Sequence, residues 1–440
     1  MQSNLKSVIG FACGLLLAAG CRPDVPVEPA VPSAPEVDAA APLEEAPGFL
    51  YGRVTTHGGQ AYTGRLRWGG DEEAFWSETF NGTKRENPWA EHAPLPERRP
   101  VLFGIELPGS DRAETSRPFM ARFGDLARIE SIGEGVRDLV EEGTGYDPAV
   151  RVTLKSGTAF DLDRLEASDF DDGVRVWDAE RGVVDLGPRK IRLIEFLPTE
   201  PLRGAPTRLH GTVETGAGPF TGFVHWDREL ATGSDRLVGL AGKEEVDIPF
   251  GTIWRLAREG DRGLAVTTRG GEPSRIAVSN APGQGTRGLY VDDPRYGRVL
   301  VSWSAFERVT FDDGGSGPAY ADYPAGRELT GRVTLRSGEE RAGRIVFDLD
   351  ESETTETLDA PAAGIDYTIP FGLVASITIP GEEQQPIAVS LQNGEALALE
   401  RSGDLGPNNG GLLVFAEGEP EPAYVAWADV ERIAFDAVSE

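Results

Sequence analysis

The residues that could do chemistry in this chain are few, and their spacing rarely suits the chemistry. Gly283-Gln284-Gly285-Thr286-Arg287-Gly288 spells G-x-G-x-x-G. That pattern brings a pyrophosphate onto backbone N–H groups, but only where a helix starts directly behind it. The next residues are LYVDDPRYG, which read as a strand and a turn, so this is a loop between strands. A phosphate loop fails at Gly242-Lys243, because Glu244 comes next and Leu237 stands where the first glycine belongs. No G-x-S-x-G elbow is present. His57, His92, His210 and His225 are not at metal-ligand spacing with one another or with a cysteine. Asp169, Asp171 and Asp172, with Asp161 and Asp163, could offer oxygens to calcium. Counted from Asp161, however, the sixth position lacks its glycine and the twelfth its glutamate. With 72 acidic residues some pair of carboxylates must face each other, and the sequence nominates none for hydrolysis. The expectation is no catalytic residue, no metal and no cofactor.

The cysteines carry chemistry of another kind. Lys6, an apolar run from Val8 to Leu17 and then Ala18-Ala19-Gly20-Cys21 have the layout of a secretory signal. The run is too short to span a bilayer comfortably. Its ending resembles the lipobox of bacterial lipoproteins, with Ala18 where Leu is usual. The resemblance covers this segment alone and implies cleavage before Cys21 and lipid attachment at its sulfur. One acyl chain binds a membrane marginally, and two or more hold it. Arg22 stands after the cysteine, rather than the Asp that resembles inner-membrane retention, so the outer membrane is expected, on its periplasmic or surface face. Cys13 is the other of the two cysteines and leaves with the signal, so no disulfide is expected in the mature protein.

Net charge is −29, and the basic residues are mostly Arg, with only five Lys. Such a surface repels phosphate backbones, which excludes nucleic acid as an expected partner. Residues 21–48 are Pro, Ala and acid with almost no large apolar side chain, a composition that suits an extended tether.

What must position any site is a pattern repeated three times. Val152 to Gly157, Val266 to Gly271 and Val389 to Gly394 each read V-x-x-x-x-G, and each copy closes on a matching block ending at Phe196, Phe311 or Phe435. Earlier in each copy stand Gly52…Gly64…Trp68, Gly211…Gly222…Trp226 and Gly331…Gly343…Phe347, then the pairs Phe123-Gly124, Phe250-Gly251 and Phe371-Gly372. Repetition at fixed spacing marks packing rather than chemistry. The repeats run over 49–198, 208–313 and 328–437, with breaker-rich linkers between them. Short alternating segments such as GRVTL, LAVTT and RVLVSW, bounded by turn residues, predict an all-β fold: three tandem β-sandwich or small-barrel units. One helical stretch is expected, around Val136–Glu142. Val333-Thr334-Leu335-Arg336-Ser337-Gly338 with Gly343 and Phe347-Asp348 resembles the first motif of Sm-like small barrels, and Trp226-Asp227 repeats its ending. That resemblance implies an SH3-like curl of strands. The repeated aromatics are expected in cores, as are Trp303 and Trp427, which match each other.

The copies differ most in the first. The extra residues of repeat one fall within 76–118 and include Trp76, Phe80, Trp89, His92, Arg98 and Arg99. Long insertions on a repeated frame commonly carry binding surfaces, and Trp with Arg suits an interface anchor. The expected function is therefore non-enzymatic: a membrane-anchored envelope lipoprotein acting as a binding or scaffold protein. Its contact residues would be Trp76, Phe80, Trp89, Arg98 and Arg99, and its partner an envelope protein or glycan. The alternatives are a mechanical spacer without a specific ligand and a carboxylate-dependent hydrolase of envelope glycans or peptides.

Overall fold

The computed structural model describes residues 42–437, apart from 70–71, 77, 93–100, 103–104, 107–116, 133–148, 164–168, 261–262, 272 and 279–286. Cys21, Arg98, Arg99, the expected helix around Val136–Glu142 and Gly283–Thr286 lie outside the described residues. So do the signal segment and the tether as far as residue 41.

The described chain is all-β. Its main sheets are antiparallel and have 10, 12 and 8 strands, and its only helices are single 3₁₀ turns. Unit 1 gives the pattern. Its strands neighbour one another in the order Gly182–Leu186, Val174–Asp178, Ala61–Trp68, Tyr51–Thr56, Ile191–Phe196, Leu126–Ile132, Ala149–Leu154, Ala159–Asp163, Thr79–Lys84, Arg117–Arg122. Unit 2 repeats this order from Gly297–Val301 through to Glu244–Pro249. Unit 3 repeats it from Ala423–Val425 as far as Ala396–Leu399. There the final hairpin, Thr357–Ala362 with Ile365–Pro370, pairs instead with Gly297–Val301 of unit 2. That pairing is what makes a 12-stranded sheet.

The repeated glycines have a steric cause. Gly52 faces Gly64, Gly211 faces Gly222 and Gly331 faces Gly343 across their hairpins. A Cβ at any of them would overlap a carbonyl oxygen of the adjoining strand. With no Cβ, glycine lets the adjoining strand approach this closely. The V-x-x-x-x-G turns close by donation from the N–H of Gly157, Gly271 and Gly394 to the carbonyls of Leu154, Thr268 and Leu391. Trp68, Trp226 and Phe347 are buried, with Phe196 and Phe311, and the Phe-Gly pairs sit in 3₁₀ turns that drive Phe123, Phe250 and Phe371 into the cores. Trp303, Trp427 and Phe435 are half-buried at the edge of the same cores.

The hairpin register narrows the position of the insertion. Thr79–Lys84 and Arg117–Arg122 are the same hairpin that units 2 and 3 form with Gly242-Lys243 and Ala363-Gly364 at its tip. The extra residues therefore lie between Lys84 and Arg117, inside the 76–118 window. The sequence hid this because Thr79–Lys84 (TFNGTK) resembles neither RLVGLA nor TLDAPA residue for residue.

Candidate functional site at the unit junctions

Each unit has one acidic residue that closes its own turn. One carboxylate oxygen of Glu78 accepts the N–H groups of Glu73 (3.0 Å) and Ala74 (2.6 Å). Asp235 does the same for Ala231 and Thr232, and Glu356 for Ser352 and Glu353. In units 1 and 3 the second oxygen then faces another unit.

In unit 3 the neighbour is Lys84, at the end of unit 1's hairpin. Its Nζ donates to Glu356 Oε1 at 3.2 Å and to Asp350 Oδ1 at 2.7 Å, with all three side chains buried. Burial pulls the ammonium down, and Glu356 and Asp350 reverse it, so Lys84 stays charged. Burial likewise pushes Asp350 up, and with Asp350 and Asp404 it pushes Glu351 well up. Around this ion cluster, Asn87 donates to the Leu349 carbonyl at 2.8 Å. Ser156 and Thr158 of unit 1 both donate to Glu353. Trp89 packs on Val346, Leu349 and Leu413, edge-on to Phe415, with the Arg344 guanidinium 5.0 Å from its ring.

In unit 1 the neighbour is unit 2. His225 Nδ1 lies 3.7 Å from Glu78 Oε1, and its Nε2 lies 3.7 Å from Asp292 Oδ2. Arg298 donates to Asp292 at 3.2 Å, and Arg122 is paired with Asp125 beside Tyr323. Burial pushes the Glu78 carboxyl up to about 7, against the opposing pull of Arg208, the Ala74 N–H and Arg298. Burial, with Arg298 and Arg208 nearby, holds His225 well below the ordinary imidazole value. The cavity here is about 20 Å³, lined among others by Trp76, Arg122, Asp292 and Arg298. That is room for one water molecule and no substrate. Among the described residues, His225 Nε2, Arg298 Nη2 and Tyr323 Oη find no hydrogen-bond partner.

The residues expected to contact a partner divide. Trp76 is half-buried at this junction, its Nε1 donating to the Asp292 carbonyl at 3.4 Å. Phe80 is a core residue of unit 1, edge-on to Trp68, and has no surface left for a partner. Trp89 is half-buried against unit 3. The residues that build the junctions, Glu78, Lys84, His225, Asp292 and Glu356, were not singled out as a group by sequence. His225 reads as a half-buried polar residue and is in fact buried between carboxylates. The one available signal was Lys84, a rare lysine in an arginine-rich chain.

Of the acids discussed as calcium ligands, Asp169 is engaged with the backbone and side chain of Asn81, and Asp161 with Arg151. Among the described residues no group of three His, Cys, Asp or Glu is placed to hold a metal ion. An open groove of about 410 Å³ lies on unit 3, lined by Thr330, Gly331, Arg332, Arg344, Phe415 and Asp436 among others. Glu78, Glu351 and Asp404, the carboxyls pushed furthest up, do not line it. Comparison with protein-family models, curated proteins and solved structures gave no match.

Proposed function

We propose that this chain is a non-enzymatic, membrane-anchored envelope lipoprotein that serves as a rigid scaffold presenting the insertion of unit 1 to a protein or glycan of the envelope. The observation that carries the reading is the locking of unit 1 onto unit 3 by Lys84, Asn87 and Trp89 at the root of that insertion. A buried cation between two carboxylates fixes position more than it adds stability, because desolvation offsets much of the attraction. A root held this way fixes the place on the frame from which the insertion starts. The displaced carboxyls support a structural reading over a hydrolytic one. They face lysine, histidine and each other inside packed junctions, where the cavity beside Asp292 and Arg298 has room for one water, whereas carboxylate catalysis needs acids facing a cleft.

The test is an envelope pull-down with residues 22–440, beside a version in which 93–116 are replaced by a short turn while Lys84–His92 are kept. Capture lost with the segment supports the reading. Equal capture by both moves the contact surface to the repeat faces, and no capture by either favours the mechanical spacer.

A further inference from the structure

The three units treat one hollow differently. It lies beside the paired glycines and the end of the strand that closes each repeat. In unit 2 the chain leaving Phe311 runs over this hollow. Gly314 lies against the His210 ring, Gly317 lies against Phe223 and Arg208, and Arg208 Nη1 donates to the Ser316 carbonyl. In unit 1 the chain leaving Phe196 turns back the same way. Leu197 donates to the Tyr51 carbonyl, and Thr199 Oγ1 donates to the Phe49 carbonyl at 2.7 Å. The register makes Tyr51, His210 and Thr330 equivalent, and likewise Arg65, Phe223 and Arg344. Phe49, Arg208 and Glu328 correspond in the same way, each forming the isolated bridge near the start of its unit.

In unit 3 the chain starts identically, with the Asp436 N–H donating to the Thr330 carbonyl, yet no described segment lies over the hollow. The space left is the 410 Å³ groove and a second hollow of about 80 Å³ that shares Thr330 and Asp436 with it. Its floor at Gly331 and Gly343 is bare backbone. Arg332, Arg344 and Phe415 stand on its walls with Glu417 and Asp436, so both carbonyls and N–H groups of a chain would find partners. Arg344 is already held over Phe415, 4.1 Å from the ring, much as Arg65 is held over Trp177 in unit 1.

We infer that this groove of unit 3 binds an extended, small-residue peptide segment of another protein, seated as the Asp313–Gly317 segment is seated on unit 2. It is a second surface that adjoins the root of the insertion, where Trp89 packs on Phe415 and Arg344, and its labelling test reads it apart from the pull-down.

Residues 22–440 contain no cysteine, so Ala342→Cys, on the groove wall, introduces a single thiol. The probe is a synthetic peptide with the sequence of residues 313–318 (DGGSGP), added at millimolar concentration during labelling by a maleimide dye. Labelling of the Ala342→Cys chain should slow at least about threefold, while a Val183→Cys control on unit 1 is unaffected and a peptide with each glycine replaced by leucine does not protect. Unchanged labelling, or equal protection of both thiols, overturns the inference. Protection without peptide that disappears on removing residues 438–440 also overturns it, since the chain's own last residues would then be the occupant.

Discussion

Units 2 and 3 are joined as one body would be, whereas unit 1 is joined to both as a partner would be. Between units 2 and 3 the contact is a backbone ladder, Arg298 to Val301 against Ile365 to Thr368, and their apolar residues form one continuous core. Unit 1 has a core of its own, joined among the described residues only by Tyr320 and Tyr323 of the segment between units 2 and 3. Its other contacts across the junctions include the charged and polar Lys84, Glu78, Asn87 and Lys155, with Trp89 packed on unit 3. A ladder uses groups that every residue carries and tolerates substitution of its side chains. A buried ion cluster depends on each member, because removing one leaves the others desolvated and unpaired. The same three-fold repeat therefore contains one junction insensitive to sequence and one that hangs on a handful of residues.

The largest effect expected is at Lys84. Lys84→Met leaves Asp350 and Glu356 buried without their cation and should destabilise the attachment of unit 1 by about 3–5 kcal/mol. Denaturant unfolding should then separate into two transitions, the tryptophan signal of unit 1 changing first. Replacing Lys84, Asp350 and Glu356 together by apolar residues should recover most of that loss.

Next comes the pH dependence of the junction between units 1 and 2. Glu78 is raised to about 7 in the fold, so the unfolded chain releases this proton first as pH rises, and stability falls between about pH 4.5 and 7. His225 works the other way: held neutral in the fold, it costs stability as pH drops below the ordinary imidazole value. Comparing Glu78→Gln with the parent isolates the first effect. The advantage of the variant should grow with pH, by up to about 3 kcal/mol above pH 7. A difference that does not vary with pH would remove Glu78 from the titrating groups.

Smaller again is Trp89→Ala, at a half-buried site, for which about 1–2 kcal/mol is expected, somewhat below a full core truncation. Smallest is Asp366→Ala in the ladder, where the side chain is exposed and the backbone bonds persist. It should stay within about 0.5 kcal/mol.

Much of the frame was legible from sequence, for physical reasons. Trp68, Trp226 and Phe347 recur because each fills the equivalent place in its unit's core, and Gly52, Gly211 and Gly331 recur because a neighbouring carbonyl occupies the space of a Cβ. Such local demands repeat whenever the unit repeats. The junctions were not legible, because they join residues far apart in the chain whose counterparts differ. Lys84 corresponds to Ala241 and Ala362, and Glu78 to Asp235 and Glu356, and only spatial neighbours distinguish a locking carboxylate from a turn-closing one. The insertion was located only approximately, since its flanking strands had already diverged from their counterparts.

The measurement that tests the locked frame most directly is the distance distribution between paired spin labels on residues 22–440. One pair joins unit 1 to unit 3 (Val183→Cys with Ser337→Cys), and one joins unit 2 to unit 3 (Lys243→Cys with Ser337→Cys). Both should give a single narrow distance in the parent chain, and Lys84→Met should broaden the first while leaving the second narrow. A broad distribution for the first pair in the parent chain, or one that Lys84→Met does not change, would contradict the locking of unit 1.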